Sequence, residues 1–344
     1  MHSIARYFFD LFSGKERFAL PNIKQIAEAA GVSVTTVSRV LNGHPYVSAA
    51  KRAAVEDAVS RLNYSRNMNA VHLIKGITQT VGVVLPNINH YYFARIMEGM
   101  AQAALKRNYQ LMLCQTDYNP NEERNVLEML RNKQMDGLVI CSRALSLREI
   151  EPYAAYGPIA LCERVSGLNL SSVYIDHYAS FQTAIRYLWE QGRRRIAFTI
   201  SRRNSPSSRS RLQAYSDTLA ALGGQAREDW VLDGCFDWED GAALVQRLLA
   251  MPERPDALLI TGDQVAAGFI LTARLQGLEV PDDFAVIGFD NQPIAGLLGI
   301  TTIDNRLSEI GERAFSIVHE QIHTGGGAPV SEELGFRFIE RSSV

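Results

Sequence analysis

Between Ile23 and Ser33 the chain carries a helix, a stop and a new start. Ile23, Ile26, Ala27 and Ala30 repeat at i, i+3, i+4 and i+7, the spacing that gathers apolar side chains on one face of an α-helix. Gly31 supplies the positive φ that ends a helix in a tight turn. Ser33 can cap the next helix by accepting a bond from a free backbone N–H. That second helix turns Val37, Val40 and Leu41 inward. A third is predicted with Ser48 as its cap and with Val55, Ala58, Val59 and Leu62 on its inner face. Two short helices joined by a glycine-containing turn form a helix-turn-helix. Three helices of this size bury only a small core and leave the outer face of the second one open.

That outer face presents Val34, Thr35, Thr36, Ser38 and Arg39, side chains small, polar or basic enough to enter a DNA major groove. Arg39 can give two hydrogen bonds to O6 and N7 of a guanine, worth ~1–3 kcal/mol of discrimination. Thr35 can meet a base edge or a thymine methyl. Thr36 and Ser38 are suited to phosphates, which position a head without reading sequence. From Pro21 to Thr80 seven basic side chains face three acidic ones, a net of +4 in a chain whose total is −2. A basic module on a neutral-to-acidic body is the electrostatic footprint of nucleic-acid binding.

From Val81 onward apolar strands alternate with amphipathic helices. Strands are predicted at Val81 to Leu85, Gln110 to Cys114, Gly137 to Ile140, Ile159 to Cys162, Ile196 to Ile200, Ala257 to Thr261 and Phe284 to Phe289. Helices are predicted at Tyr92 to Lys106, Asn121 to Asn132, Ala179 to Glu190 and Arg209 to Leu222. Continuous apolar strands between helices imply parallel sheets covered on both faces. About 260 residues of this pattern exceed one core and suggest two lobes. In such sheets ligands sit outside the carboxyl ends of the strands. The polar residues there are Glu163, Arg164, Arg211, Asp263, Asp290 and Asn305. A carboxylate can accept from ligand hydroxyls, and a guanidinium can hold two neighbouring acceptors.

Other chemistries find no footing. No G-x-S-x-G, Walker loop, G-x-G-x-x-G after a strand or H-E-x-x-H is present, so neither a catalytic set nor a cofactor site is predicted. His319 and His323 share a helix face but no third ligand lies nearby in sequence, so no metal is expected. Cys114, Cys141, Cys162 and Cys235 lack metal or redox spacing and read as buried, reduced thiols of a cytoplasmic protein. No apolar run is long enough to span a membrane, and residues 1–20 lack the uninterrupted apolar stretch of a secretory signal. They are assigned no function. A transport-type binding protein would need such a signal and no DNA-reading head.

The string IKQIAEAAGVSVTTVSRVLNG (Ile23 to Gly43), followed by Val47, Ser48 and by RLNY (Arg61 to Tyr64), resembles the head of the lactose-repressor and galactose-repressor (LacI/GalR) family, and the resemblance runs through roughly residues 21 to 341. It implies base contacts from the positions of Val34, Thr35 and Arg39, with Asn42 closing the pattern. It also implies a hinge, 67–79, in which Ala70 and Leu73 occupy the positions of a small residue and a leucine wedge that kinks DNA from the minor groove. Arg66 stands where the family usually has proline. The body is then similar to periplasmic sugar-binding proteins, with the chain crossing between lobes near residues 176, 305 and 335. Arg211, Asp290 and Glu163 align with effector-contacting positions, and Tyr92 and Phe93 with aromatics at the cleft mouth. Gly262 and His90 depart from the family pattern.

The expected architecture is a small all-α helix-turn-helix head (21–66), the hinge, and an α/β two-lobed core (80–344) of parallel sheets with helices on both faces. Lobe 1 covers 80–176 and 306–334; lobe 2 covers 177–305 and 335–341. The expected function is a sequence-specific transcriptional regulator, a repressor, answering a sugar or sugar derivative. Its expected partner is double-stranded operator DNA of pseudo-palindromic sequence. The absence of a heptad tail after the last predicted strand, Phe336 to Arg341, predicts a homodimer rather than a tail-tethered tetramer.

Overall fold

The computed structural model describes residues 21–65 and 76–344. The extension 1–20 and the hinge positions Arg66, Ala70 and Leu73 lie outside the described residues. The chain divides into two compact units, with the boundary between Gly76 and Ile77.

The head consists of α1 (Ile23–Ala29), α2 (Val34–Leu41) and α3 (Ala49–Arg61). Asn22 begins α1 with a reciprocal cap: its side chain accepts from the backbone of Lys24 and Gln25, and Gln25 Oε1 accepts from Asn22 N at 2.8 Å. This pairing satisfies orphan N–H groups of the first turn. Gly31 takes φ +63°, and Ser33 Oγ accepts from Thr36 N at 3.2 Å. Ile26, Ala27, Val37, Val40, Val55 and Ala58 form the buried core. Ser48 stands at the N-cap of α3 as expected, without a side-chain cap bond. One sequence expectation needs correction: Leu62 is the C-cap, past the last helical turn, and is 36% exposed rather than on the inner face. Arg61 Nη2 donates to Ala29 O at 3.3 Å and ties α3 to the end of α1.

The larger unit runs β1 (Thr80–Leu85), α4 (Tyr91–Lys106), β2 (Gln110–Gln115), α5 (Pro120–Arg131), β3 (Gly137–Ile140), α6 (Leu147–Ile150), β4 (Ile159–Leu161), β5 (Ser171–Ile175). The same alternation resumes with α7 (His177–Glu190), β6 (Ile196–Ile200), α8 (Pro206–Ala221), β7 (Val231–Asp233), α9 (Trp238–Leu249), β8 (Ala257–Leu259), α10 (Asp263–Leu275), β9 (Ala285–Phe289), α11 (Pro293–Leu298), β10 (Thr301–Asp304). It closes with α12 (Leu307–Thr324), β11 (Ser331–Leu334) and β12 (Arg337–Ile339). Two six-stranded sheets result, ordered β11-β5-β4-β3-β1-β2 and β12-β10-β9-β8-β6-β7. Every pairing is parallel except β10 with β12. Each sheet separates two apolar clusters, one per face. The chain passes between sheets after β5, after β10 and between β11 and β12, where Phe336 packs against the core of both lobes.

Close helix crossings stiffen each lobe. A Cβ on Gly99 of α4 would lie 1.7 Å from Ser308 O, and one on Gly311 of α12 would lie 1.9 Å from Ile96 O. In lobe 2, Gly241 of α9 meets Val265 O and Gly268 of α10 meets Trp238 O, each at 2.0 Å. The two pairs of helices touch backbone to backbone, and only glycine allows that approach.

Candidate functional site

In the head, Val34, Thr35, Ser38, Arg39 and Asn42 fall at i, i+1, i+4, i+5 and i+8 along α2 and its cap, opposite buried Val37 and Val40. Val34, Thr35, Arg39 and Asn42 are exposed. Thr36 is turned toward the cap instead, with its hydroxyl 2.9 Å from Ser33 Oγ. Asn42 Nδ2 donates to Ser38 O at 2.8 Å and holds the end of the helix.

In the larger unit the carboxyl ends of the two sheets supply the groups of an interlobe cleft. From lobe 1, His90 caps α4: its Nδ1 accepts from Tyr92 N at 3.3 Å. This fixes Tyr92, whose ring stands edge-on to Phe93 with centroids 5.1 Å apart. Phe93 is buried in the lobe 1 core and supports Tyr92 from beneath. Cys141 and Cys162 follow β3 and β4 and lie beside this hydroxyl. The Tyr92 hydroxyl is pushed well above its ordinary pKa by burial first, with added effects of Cys162 and of the Asp290 charge, while Arg211 opposes them. Lobe 2 charges therefore reach a lobe 1 side chain.

From lobe 2, Asp290 follows β9 with φ +89° and accepts from Asn305 Nδ2 at 2.8 Å. Burial raises its pKa, opposed by the Asn305 bond and the Arg211 charge. Arg211, in the second turn of α8, lies over the Phe289 ring at 5.5 Å, and its Nη2 is 3.4 Å from His177 Nδ1. Burial, and then the Arg211 charge, hold His177 well below its ordinary 6.5, so its neutral ring can accept from Arg211. Arg211 Nε and Asn305 Oδ1 are cut off from solvent without a partner among the described residues. Buried polar atoms normally find partners, so these two are left available to a bound molecule.

Three predicted residues are placed differently. Asp263 is 0% exposed and accepts from Gln292 N at 2.6 Å and Thr302 Oγ1 at 2.7 Å, so both oxygens serve the frame beneath the cleft. Glu163 is ion-paired with Arg143 across the ends of β3 and β4. Arg164 is exposed and lies over the Tyr174 ring at 5.6 Å. Four residues that sequence reasoning did not name contact the strand-end residues or bridge the lobes: Arg143 pairs with Glu163, His177 lies beside Arg211, and Arg202 lies over Tyr118. Tyr118 and Arg202 stand two or three positions past strand ends, so the strand-end rule reaches them if it is applied to β2 and β6.

All four cysteines are free and buried. Among the described residues no cluster of three or more His, Cys, Asp or Glu could hold a metal, and no helix is long and apolar enough to cross a membrane.

Two family profiles match. The one for bacterial regulatory proteins of the lacI family covers residues 22–67, and the one for periplasmic binding proteins and the sugar binding domain of the LacI family covers residues 78–339. The chain is 41% identical to the uncharacterized HTH-type transcriptional regulator YkvZ of Bacillus subtilis, over 94% of this chain and 100% of that one. It is 38% identical to catabolite control protein B of the same organism, over 87% of this chain and 94% of that one. Among solved structures, a complex of the transcriptional regulator CelR with cellobiose matches with a TM-score of 0.69 at 27% identity, covering 94% of this chain and 100% of that one. The Lac repressor dimer bound to operator and an anti-inducer matches with a TM-score of 0.82 over 94% of this chain and 99% of that one; at 22% identity the likeness shows the fold. The helix-turn-helix head with the exposed face of α2, the paired sheets with their polar cleft and these matches converge: the chain belongs to the LacI family of DNA-binding transcriptional regulators, and it is not an enzyme.

Proposed function

We propose that this chain is a repressor that binds a pseudo-palindromic operator as a homodimer and is controlled by a sugar-like effector between its lobes. The observation that carries this reading is the convergence of Tyr92 from lobe 1 with Arg211, Asp290 and Asn305 from lobe 2. Asp290 offers an acceptor and Arg211 a fork of donors, the complement of vicinal hydroxyls. Tyr92 supplies an aromatic ring whose face can stack on a sugar ring. The complex of CelR with cellobiose, a relative at 27% identity, fits the same chemistry. A dimer is favoured by the apolar side chains that lobe 2 leaves in solvent. Trp238 is 58% exposed and Leu275 87% exposed, with Phe236, Leu271 and Leu297 also open. Exposed aromatic and leucine side chains in such number are characteristic of an interface.

The test uses the full chain. Operators are selected from a random DNA pool and binding is followed by fluorescence anisotropy at fixed salt. Arg39→Ala is expected to lose about 5- to 150-fold in affinity for the selected site, the equivalent of ~1–3 kcal/mol. If wild type and variant choose the same sequences with the same affinity, the reading of α2 fails. A thermal-shift screen of sugars, sugar phosphates and purines then identifies the effector class. A tetramer at low concentration in mass photometry would remove the dimer.

A further inference from the structure

The segment that follows β6 brings two guanidinium groups to the cleft, Arg202 and Arg211. Arg211 faces the Asp290 charge. Arg203, next in sequence, is ion-paired with Glu228 and Asp233. Arg202 has no carboxylate in ion-pair distance among the described residues. It crosses the cleft instead. Its guanidinium carbon lies 3.5 Å from the ring centroid of Tyr118, which follows β2 in the opposite lobe. Tyr118 is held for this. Its hydroxyl accepts from Ser142 Oγ at 3.2 Å, and both it and Asp117 sit in the left-handed region, with φ +54° and +48°. A non-glycine pair in that region is over-determined by its surroundings and is characteristic of binding loops.

A ring under a guanidinium covers one face of the plane and leaves the N–H edge free. Here that edge contains Nη1, cut off from solvent with no partner among the described residues. The free edge of a guanidinium matches the paired oxygens of a phosphate or carboxylate in both geometry and charge. A neutral hydroxyl would satisfy the donor and leave the charge unbalanced.

Building on the effector reading above, we infer that Arg202, stacked on Tyr118, binds an acidic group of the effector, so that the cleft takes a phosphorylated or carboxylated sugar in preference to a neutral one. The hydroxyls go to Arg211, Asp290 and Asn305, and the acidic group to the Arg202 end. Arg202 and Tyr118 come from opposite lobes, so an anion bound there touches the junction that changes when the lobes move.

The experiment takes full-length wild type, Arg202→Gln and Arg202→Lys, with circular dichroism to confirm that each is folded. Inorganic phosphate is the first probe. It is expected to raise the wild-type Tm by a few degrees at a concentration about tenfold above its Kd. The shift is expected to vanish in Arg202→Gln and to survive in part in Arg202→Lys. No shift in wild type, or an equal shift in Arg202→Gln, overturns the inference. Matched sets of a hexose, its 6-phosphate and its sugar acid form the second arm and separate the two anion sources. The acidic member is expected to bind wild type more tightly and to lose about 10- to 100-fold in Arg202→Gln, as expected for a charge-assisted pair. A neutral sugar that binds wild type and Arg202→Gln equally and outcompetes its acidic partners overturns the acidic effector while leaving a sugar-controlled repressor standing. Failure of all three classes to bind overturns both.

Discussion

Asp263 is the residue on which strand-end position and side-chain geometry disagree most, and substituting it separates them. Position alone makes it an effector contact. Its geometry makes it a pin. The carboxylate lies under Gly288, where an added Cβ would come within 2.0 Å of Oδ1. It receives the Gln292 N–H and the Thr302 hydroxyl and thereby ties the start of α10 to β10 and to the cap of α11. Asp263→Ala removes the acceptor from two buried donors. Each unsatisfied donor costs about 1–3 kcal/mol, so the pair costs about 2–6 kcal/mol. At about 2–4 °C per kcal/mol for a chain of this order of size, the Tm is expected to fall by at least about 4 °C.

Asp263→Asn tests the charge. Burial raises the Asp263 pKa well above its ordinary value, outweighing its two hydrogen bonds. A folded-state pKa above the unfolded one means that the folded chain holds the proton more tightly. Asp263 therefore favours folding below its unfolded pKa, and that contribution is lost as pH rises through the folded value. Asparagine keeps an acceptor for Gln292 N–H, and its amide can donate to the Thr302 hydroxyl once that hydroxyl turns. It carries no charge to bury. The expected calorimetric result is a Tm near wild type at neutral pH, with effector-induced stabilisation unchanged. An Asp263→Ala chain as stable as wild type would refute the pin. So would an Asp263→Asn chain that keeps its Tm and loses the effector response.

Two further substitutions test the same lobe. Gly262 precedes α10 as its N-cap at φ +106°, and an added Cβ would meet only Val265 Cγ2 at an ordinary 3.7 Å, so Gly262→Ala is expected to cost about 1–3 kcal/mol from backbone strain alone; denaturant midpoints that match wild type would contradict this. His177 stays neutral in the fold because of burial and Arg211, while the unfolded chain takes up its proton near 6.5. Stability should therefore fall as pH drops below about 6.5, by at most about 1.4 kcal/mol per unit. His177→Gln should flatten that limb of a Tm–pH curve, and an unchanged limb would assign it to other groups.

The head was almost fully legible because its signals are local. The period of Ile23, Ile26 and Ala27, the turn at Gly31 and the cap at Ser33 each act within one or two helical turns. The apolar strands of the core were legible for the same reason, since Val81 to Leu85 and Ile196 to Ile200 are buried on both faces. Strands β5, β10 and β11 were not, because their polarity is satisfied by distant partners. Ser172 Oγ donates to Ser331 Oγ, and Thr301 Oγ1 accepts from Arg341 N. A hydroxyl that is buried only because a residue 40 or 159 positions away meets it reads as loop in one dimension. The cleft was half legible. Strand-end position and resemblance named Arg211, Asp290, Asn305 and Tyr92, which the fold brings together, but neither distinguishes a carboxylate left facing the cleft from one whose oxygens are taken up by protein partners, as those of Asp263 and Glu163 are.

Rigidity within each lobe and polarity between them together determine what an effector can do here. The glycine crossings of α4 with α12 and of α9 with α10 leave no slack for helices to slide within a lobe. Any rearrangement then concentrates at the three strand crossings, where Asp176, Asn305 and Phe336 stand. Tyr92 answers to charges from lobe 2, and Tyr118 is stacked on Arg202 of lobe 2. A ligand that satisfies Arg211, Asn305 and Tyr92 at once binds one lobe spacing better than any other. Only such a difference in affinity between spacings can shift their populations, and couplings of this kind amount to about 1–3 kcal/mol. A ligand held by lobe 2 alone would bind just as tightly and change nothing.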